Sequence, residues 1–347
     1  MYYIEDKGAV LRGCFFRMRI WNERHIIQKT IGGSDMTKQP IRLGVLDLVP
    51  VLGGSSAEEA VRRAGELARL AEAWGYHRYW TSEHHDIKNL ASASPEVLLA
   101  HVGAVTSTIH IGSGAILLPH YSPLKVAEWF NLLAALYPGR IELGIGRAPG
   151  GGAHASMALS GNFLKRVAQM PETIASLKAL LEGSYHYEDV PVTAQPVPKL
   201  PPSLWMLGTN RKGAEYAARY GTGYVFGQFM SDMDGRGILE AYRAAFSPSA
   251  NLSAPRTMVA VGVICAETEE AAHQLAEQAR RSREGEQMPG PERKGDGWLI
   301  GSASQVGDKL RELQQHLHTD DFLLVTEITD YEQRLKSYRL LSEYFRE

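Results

Sequence analysis

Glu83, His84, His85 and Asp86 form a block of four titratable residues. It follows the apolar pair Tyr79-Trp80 with only Thr81 and Ser82 between. A strand that ends this abruptly in ionisable groups reads as a barrel stave leaving the core and reaching an active rim. An imidazole placed there can donate a hydrogen bond or carry a proton near neutral pH. Neighbouring strand residues point to opposite faces, so only one of His84 and His85 faces the mouth if the strand continues. The same alternation disfavours a metal pair, HExxH is absent, and no metal is expected. Two histidines beside an acid at a strand end favour a functional role over a structural histidine.

Two further clusters could do chemistry. Gly144-Ile145-Gly146-Arg147-Ala148-Pro149-Gly150 nearly imitates a dinucleotide fingerprint, but it lacks the GxGxxG spacing and Pro149 interrupts it. Arg147, just past a strand and set among glycines, suits a phosphate or carboxylate; a surface Arg on a flexible loop is the alternative. Gly208-Thr209-Asn210 lies between a strand and a helix, where backbone N–H groups and a hydroxyl make an anion site. Thr and Asn are also ordinary caps. Gly301-Ser302-Ala303-Ser304 reads as a plain cap. No GxSxG elbow, CxxC pair or P-loop occurs.

The elements that must position these residues alternate strand and helix. Ile41–Asp47 is a first buried strand. Ser55 and Ser56, each followed three residues later by Glu, give a capping-box signature. Val61, Ala64, Leu67, Ala68, Ala71 and Trp74 then keep a 3.6-residue period until Gly75. The stretch ending at Trp80 is the second strand, with a helix from Pro95. His110–Leu118 is a third, glycine-rich strand; glycine inside a strand often marks close approach of a backbone or ligand. Ser122 and Pro123 open a helix to Leu136. Arg140–Ile145 is the fourth strand, and one long helix is expected over 162–182. Residues 185–198 read as a hairpin insertion. Leu204–Leu207, Tyr224–Phe226, Thr257–Ala266 and Phe322–Thr326 complete eight strands. Helices are expected to Tyr220, over Asp232–Phe246, from Thr268, from Ser304 and over Tyr331–Phe345. Residues 284–297, rich in Glu, Gly, Pro and Lys, read as a mobile loop.

Units in this number and order predict one (β/α)8 TIM-type barrel over residues 36–347, a single domain with insertions. Two doubly wound domains are the alternative. Residues 1–35 carry neither helix nor strand period. Gly32-Gly33 lie just upstream of Met36, where their codons suit a ribosome-binding sequence. Residues 1–35 are therefore read as a mis-called start or a disordered extension, with a genuine N-terminal arm as the alternative.

Composition narrows the function. The chain has 347 residues, 44% hydrophobic and 22% charged, with a net charge of −2. Near-neutrality argues against a nucleic-acid footprint or a membrane-surface patch. No apolar run approaches the roughly 18–20 residues of a membrane span. Cys14 and Cys265 are the only cysteines, so no disulfide framework is expected and the cytoplasm is the expected compartment.

Taken together, SEHH at 82–85, GSGAILLPHYSP at 112–123 and YPGRIELGIGRAPG at 137–150 resemble the luciferase-like class of flavin-dependent monooxygenases, over about Ile41 to Phe345. The resemblance implies a TIM-type barrel binding FMN or, in one branch, the deazaflavin F420. It implies that His84 is the histidine beside the flavin ring and that Arg147 contacts the flavin phosphate. Thr209 and Asn210 lie where the family binds that phosphate, beside Gly208, and Lys165 is near a second basic contact. Gly114-Ala115 matches a non-prolyl cis peptide under the flavin, which would give the glycine-rich strand its reason. Gly146 stands where luciferase has a reactive cysteine, and the 148–160 loop is unlike luciferase's. The 284–297 segment is a candidate lid.

The implied enzyme uses reduced FMN and O2 on a small organic substrate, with reduced flavin supplied by a separate NAD(P)H:flavin reductase. An F420-dependent dehydrogenase and a non-catalytic flavin-binding protein are the alternatives. The expected assembly is a homodimer. Trp80, Tyr121, Phe226 and Phe229 read as rim aromatics suited to an apolar or aromatic substrate.

Overall fold

The computed structural model describes residues 40–283 and 297–346. The expectation for residues 1–35, and all but the last residue of the 284–297 loop, lie outside these. β1 (Arg42–Asp47) leads to α1 (Ala57–Ala73), and β2 (Arg78–Thr81) to α2 (Pro95–Val105). β3 (His110–Ser113), with its short continuation β4 (Ile116–Leu117), leads to α3 (Pro123–Leu136). β5 (Ile141–Gly146) is followed by α4 (Ala153–Ser160), α5 (Phe163–Ala168) and α6 (Met170–Leu181). The antiparallel hairpin β6 (His186–Tyr187) and β7 (Val190–Pro191) comes next, as the sequence predicts. β8 (Ser203–Gly208) carries α7 (Arg211–Tyr220), and β9 (Gly223–Gly227) carries α8 (Gly235–Ala245). β10 (Thr257–Ala266), α9 (Glu269–Arg283), β11 (Trp298–Ser302), α10 (Ala303–Leu317), β12 (Asp321–Val325) and α11 (Tyr331–Arg346) complete the chain.

Eight strands close into a parallel barrel in the order β1-β2-β3-β5-β8-β9-β10-β12, with β12 pairing back to β1. This is the predicted (β/α)8 architecture. One strand was not foreseen: β11 pairs with Gly262–Ala266, the far half of β10, which overlaps the stretch that pairs with β12 only at Gly262.

Local chemistry explains most boundaries. Ser56 caps α1 by accepting from the Glu59 N–H, and Gly75, at φ 76°, ends it in the left-handed region. The single helix expected over 162–182 is instead α5 and α6, which meet at Gln169 with Pro171 in the first turn of α6. The third strand is likewise divided, at a cis Gly114–Ala115 peptide. The helix expected from Asp232 starts at Gly235, because Asp234 caps it through the Arg236 and Gly237 N–H groups. Ser302 forms a capping box with Gln305, so Gly301–Ser304 is the plain cap the sequence suggested.

The barrel interior is filled by Trp80 and Trp205, in edge contact at 6.1 Å, with Leu46, Val225, Met258 and Leu323 around them. Trp80 gives the glycine-rich strand its reason. A Cβ on Gly112 would lie 2.6 Å from Trp80 Nε1, and one on Gly114 2.6 Å from Leu46 Cδ1 and 3.2 Å from Trp80 Cε3. The glycines thus make room for these core side chains. Trp80 and Phe226 are fully buried, which corrects their reading as rim aromatics; Tyr121 and Phe229 are half-buried.

At the N-terminal end of the staves the interior is charged. Buried Arg78 donates to Glu142 (3.1 Å) and to Asp321, Arg42 pairs with Asp321 (2.7 Å), and Trp80 Nε1 donates to Glu142 (2.7 Å). Burial pushes the Asp321 carboxyl up, but the hydrogen bonds and charges of Arg42 and Arg78 outweigh it and hold it below the usual range. No helix among the described residues is long and apolar enough to cross a membrane.

Candidate active site

The loop after β2 is built around one carboxylate. Glu83 is buried and accepts from the Leu117 N–H (2.9 Å), the Tyr121 hydroxyl (2.7 Å) and His85 Nε2 (2.7 Å). It therefore fastens the β2 end to β4 and to the turn after it. Burial and the adjacent Glu83 charge push the Tyr121 phenol well up, so Tyr121 stays the donor. The His85 N–H donates to the Gly150 carbonyl at 2.8 Å, bringing in the loop after β5. Gly150 is left-handed at φ 71°, and a Cβ on Gly151 would overlap the His85 carbonyl, so both positions need glycine.

His84 is held differently. Its backbone N–H donates to the Ser92 carbonyl (2.8 Å), and its Nδ1 lies 3.0 Å from Ser82 Oγ. Among the described residues nothing pairs with Nε2. Burial is the main influence on the half-buried imidazole and lowers its pKa to about 4, against the opposing Glu83 charge. The ring is neutral at neutral pH and keeps one uncommitted nitrogen. Each of the two rings has one nitrogen without a partner among the described residues; they differ in that the other nitrogen of His85 is tied to the Glu83 carboxylate and that of His84 to the Ser82 hydroxyl.

The next staves carry the other predicted residues. Gly114 and Ala115 form the cis peptide beside β4, and Ala115 is 8% exposed. Arg147 follows β5, half-buried, with no ion pair or hydrogen bond among the described residues. Gly208, Thr209 and Asn210 end β8, the strand paired to β5. Thr209 lends its carbonyl to Ser231 Oγ (2.7 Å), and its own hydroxyl has no partner among the described residues. Asn210 is the N-cap of α7 and spends its side-chain oxygen on the Gly213 N–H (3.4 Å). Lys165, on α5, is exposed and makes no ion pair among the described residues; nothing ties it to the β8 end. His84, Ala115, Arg147 and Thr209 thus sit on the consecutive staves β2, β3–β4, β5 and β8.

Three features escaped the sequence reading. Ser82 was passed over as part of the SEHH motif, although a hydroxyl two residues before a histidine is a signal for an oriented ring. His120 joins the Pro149 carbonyl (2.9 Å) to Ser160 Oγ (3.1 Å), bridging the turn after β4 to the loop after β5 and to α4. Arg211 and Lys212 occupy the first turn of α7 with no acidic residue there. Cations oppose the helix dipole at that end unless an anion is bound, and this inversion of the usual pattern was legible. Among the described residues no group of three His, Cys, Asp or Glu is arranged to hold a metal.

The sequence profile of the luciferase-like monooxygenases matches residues 41–320. A luciferase-like monooxygenase of Escherichia coli (strain K12) is 35% identical over 88% of this chain and 97% of its own length. The N-acetyl-S-alkylcysteine monooxygenase of Bacillus subtilis (strain 168) is 31% identical over 87% and 98%. The crystal structure of apo-MsnO8 is 34% identical, covers 88% of this chain and 98% of its own, and superposes with a TM-score of 0.79. With the closed barrel and its rim, these matches show that the chain belongs to the luciferase-like monooxygenases, oxidoreductases that use molecular oxygen.

Proposed function

We propose that this chain is the oxygenase of a two-component system, using reduced FMN and O2 to oxygenate a small organic substrate. One observation carries the reading. Groups of the right kinds end four consecutive staves: a neutral imidazole with an uncommitted nitrogen after β2, the Gly114–Ala115 backbone at β3–β4, a cation after β5 that is unpaired among the described residues, and a helix N-terminus after β8. Three strand spacings of about 4.8 Å put roughly 14 Å between the first and the last. That suits an extended ligand with a ring at one end and a phosphate at the other.

The residues fit FMN. Arg147 would hold the phosphate with the Thr209 hydroxyl and the N–H groups opening α7, where Arg211 and Lys212 add charge. Asn210 would help by capping α7 rather than by touching the phosphate. Gly114 and Ala115 offer backbone to the ring. Bound reduced FMN would supply the two electrons that reduce O2, one oxygen atom going to the substrate and the other to water. His84 would present its uncommitted nitrogen to an oxygen atom, and the Glu83 hub would keep the surrounding loops closed against water.

The missing GxGxxG fingerprint supports a separate NAD(P)H:flavin reductase as the source of reduced flavin. We place the pair in the cytoplasm, in keeping with the free, buried thiol of Cys265. A homodimer is supported by α2 and α3, which pack together and leave Val97, Val105, Leu132 and Leu136 exposed. Because one relative is named for N-acetyl-S-alkylcysteine, thioethers head the substrate screen.

The test supplies reduced FMN from a reductase and follows oxygenated product by mass spectrometry with 18O2. The reading predicts label in the product, formed about 100-fold more slowly with His84→Ala. Product formation that is indifferent to His84→Ala refutes the assignment. Turnover with reduced F420 and none with FMN would move the chain to the dehydrogenase alternative.

A further inference from the structure

The hydrogen bond behind His84 decides what kind of group His84 is. Ser82 is 3% exposed, and its Oγ lies 3.0 Å from His84 Nδ1. Either atom could donate in isolation, because a neutral imidazole has one protonated and one bare nitrogen. The surroundings remove the choice. Ser82 Oγ has no other partner among the described residues. If Nδ1 carried the proton, the Ser82 hydroxyl would accept that bond and its own hydrogen would stay buried with no acceptor. A buried unsatisfied donor costs about 1–3 kcal/mol, whereas the opposite arrangement satisfies both the Ser82 hydroxyl and Nδ1 and leaves the unpaired N–H at Nε2 of the half-buried ring.

The loop leaves Ser82 little freedom to turn elsewhere. Its carbonyl accepts from Ser92 Oγ, whose own oxygen lies 3.2 Å from Thr81 Oγ1. Its backbone N–H donates to the Asp47 carbonyl at 3.0 Å, and the His84 N–H is bound to the Ser92 carbonyl. Both ends of the Ser82-Glu83-His84 segment are therefore pinned by main-chain bonds, one to the end of β1 and one to the far side of the same loop.

We propose that Ser82 is a positioning residue: it donates its proton to Nδ1 and so holds His84 as the Nε2–H tautomer, a hydrogen-bond donor rather than a base. The low proton affinity that burial gives this ring agrees with a neutral donor. The inference deepens the functional reading above and rests on it for the role of His84. The tautomer itself is a property of the protein without cofactor. A donor at this place stabilises negative charge growing on a bound oxygen atom. It does not abstract a proton from the substrate.

The test separates the two claims. Long-range 1H–15N correlation spectra of [15N]histidine-labelled, cofactor-free protein at pH 7.5 report the tautomer of each ring. The chain has twelve histidines, so the His84 signals are assigned by their loss in His84→Gln. The proposal expects a bare Nδ1 and a protonated Nε2 in the wild type. It expects a mixture of tautomers in Ser82→Ala and return of the Nε2–H form in Ser82→Thr. Signals of the other histidines that stay in place show that each variant is folded. A protonated Nδ1 in the wild type, or a Ser82→Ala spectrum unchanged at His84, overturns it.

Turnover adds a second reading. Ser82→Ala lowers kcat about tenfold with KM steady, and Ser82→Thr recovers it. His84→Gln, which keeps an N–H donor, falls less than His84→Ala, for which the loss of one such donor is about 100-fold. Equal loss in His84→Gln and His84→Ala overturns the donor role. If the tautomer is as stated but no oxygenated product forms under any supply of reduced FMN, the functional reading fails and the assignment of Ser82 stands.

Discussion

The two ends of the barrel are both polar, and they differ in what their polar groups are doing. At the N-terminal end each named charge has a partner: Arg78 bridges Glu142 and Asp321, and Arg42 closes on Asp321. Glu72 takes the N–H groups of Ser107, Thr108 and Ile109 where the chain enters β3. At the C-terminal rim, Glu83 is as fully engaged, but around it His84 Nε2, Arg147 and the Thr209 hydroxyl are left over. A closed polar network stabilises the fold, because breaking it strands a buried charge. An open set, held in place by a closed one, is what a ligand completes. Polarity alone marks neither end; the unspent valence does.

That contrast breaks first at Arg78. Arg78→Met should cost about 3–5 kcal/mol in urea unfolding, because Glu142 and Asp321 lose a buried cation. Any activity it retains per folded molecule should be that of the wild type. His84→Ala should do the reverse: turnover falls about 100-fold while the unfolding midpoint barely moves, since a half-buried ring with one side-chain bond is removed. Arg147→Ala should weaken FMN binding by about 1.5–3 kcal/mol, the range for a hydrogen bond to a charged group, and leave stability within about 0.5 kcal/mol.

Glu72 sharpens the comparison at the small end of the scale. Burial raises its pKa, but the N–H groups of Thr108, Ile109 and Ser107 outweigh it and lower the value to about 2, from an ordinary 4.5. A carboxyl depressed in the folded state contributes stability above its unfolded pKa and loses it as pH falls through the folded one. The contribution should be complete above about pH 4.5 and gone near pH 2. Solvent screening limits it to at most about 1 kcal/mol. Glu72→Gln should flatten that acid limb in urea titrations and leave FMN affinity untouched.

Much of this was legible beforehand, for identifiable reasons. The eight staves could be counted because each buried run ends in a turn or cap residue, as Leu204–Leu207 does at Gly208-Thr209-Asn210. The β11 strand was not legible: its five residues adjoin a polar loop, and its partner is the extra length of β10, which no local pattern announces. The rim's residue types could be read, but not which of their atoms are spent. Asn210 is as polar as Thr209, yet its oxygen is committed to Gly213. His85 is as titratable as His84, yet Glu83 holds it. What fills the space beside Gly112 and Gly114 was not legible either, because a missing side chain gives no hint of it; here the filling includes Trp80. Commitments of this kind come from contacts between residues far apart in the chain, beyond any local pattern.

The central claim is that the open rim, rather than the closed end, receives the flavin phosphate. Fluorescence titration of FMN into wild type, Arg147→Ala and Arg256→Ala tests it most directly, because Arg256 is an exposed arginine at the N-terminal end, 4.8 Å from the Trp205 ring. The account predicts a dissociation constant about 10- to 100-fold weaker for Arg147→Ala and unchanged for Arg256→Ala. Wild-type affinity in Arg147→Ala, or a loss confined to Arg256→Ala, would contradict it.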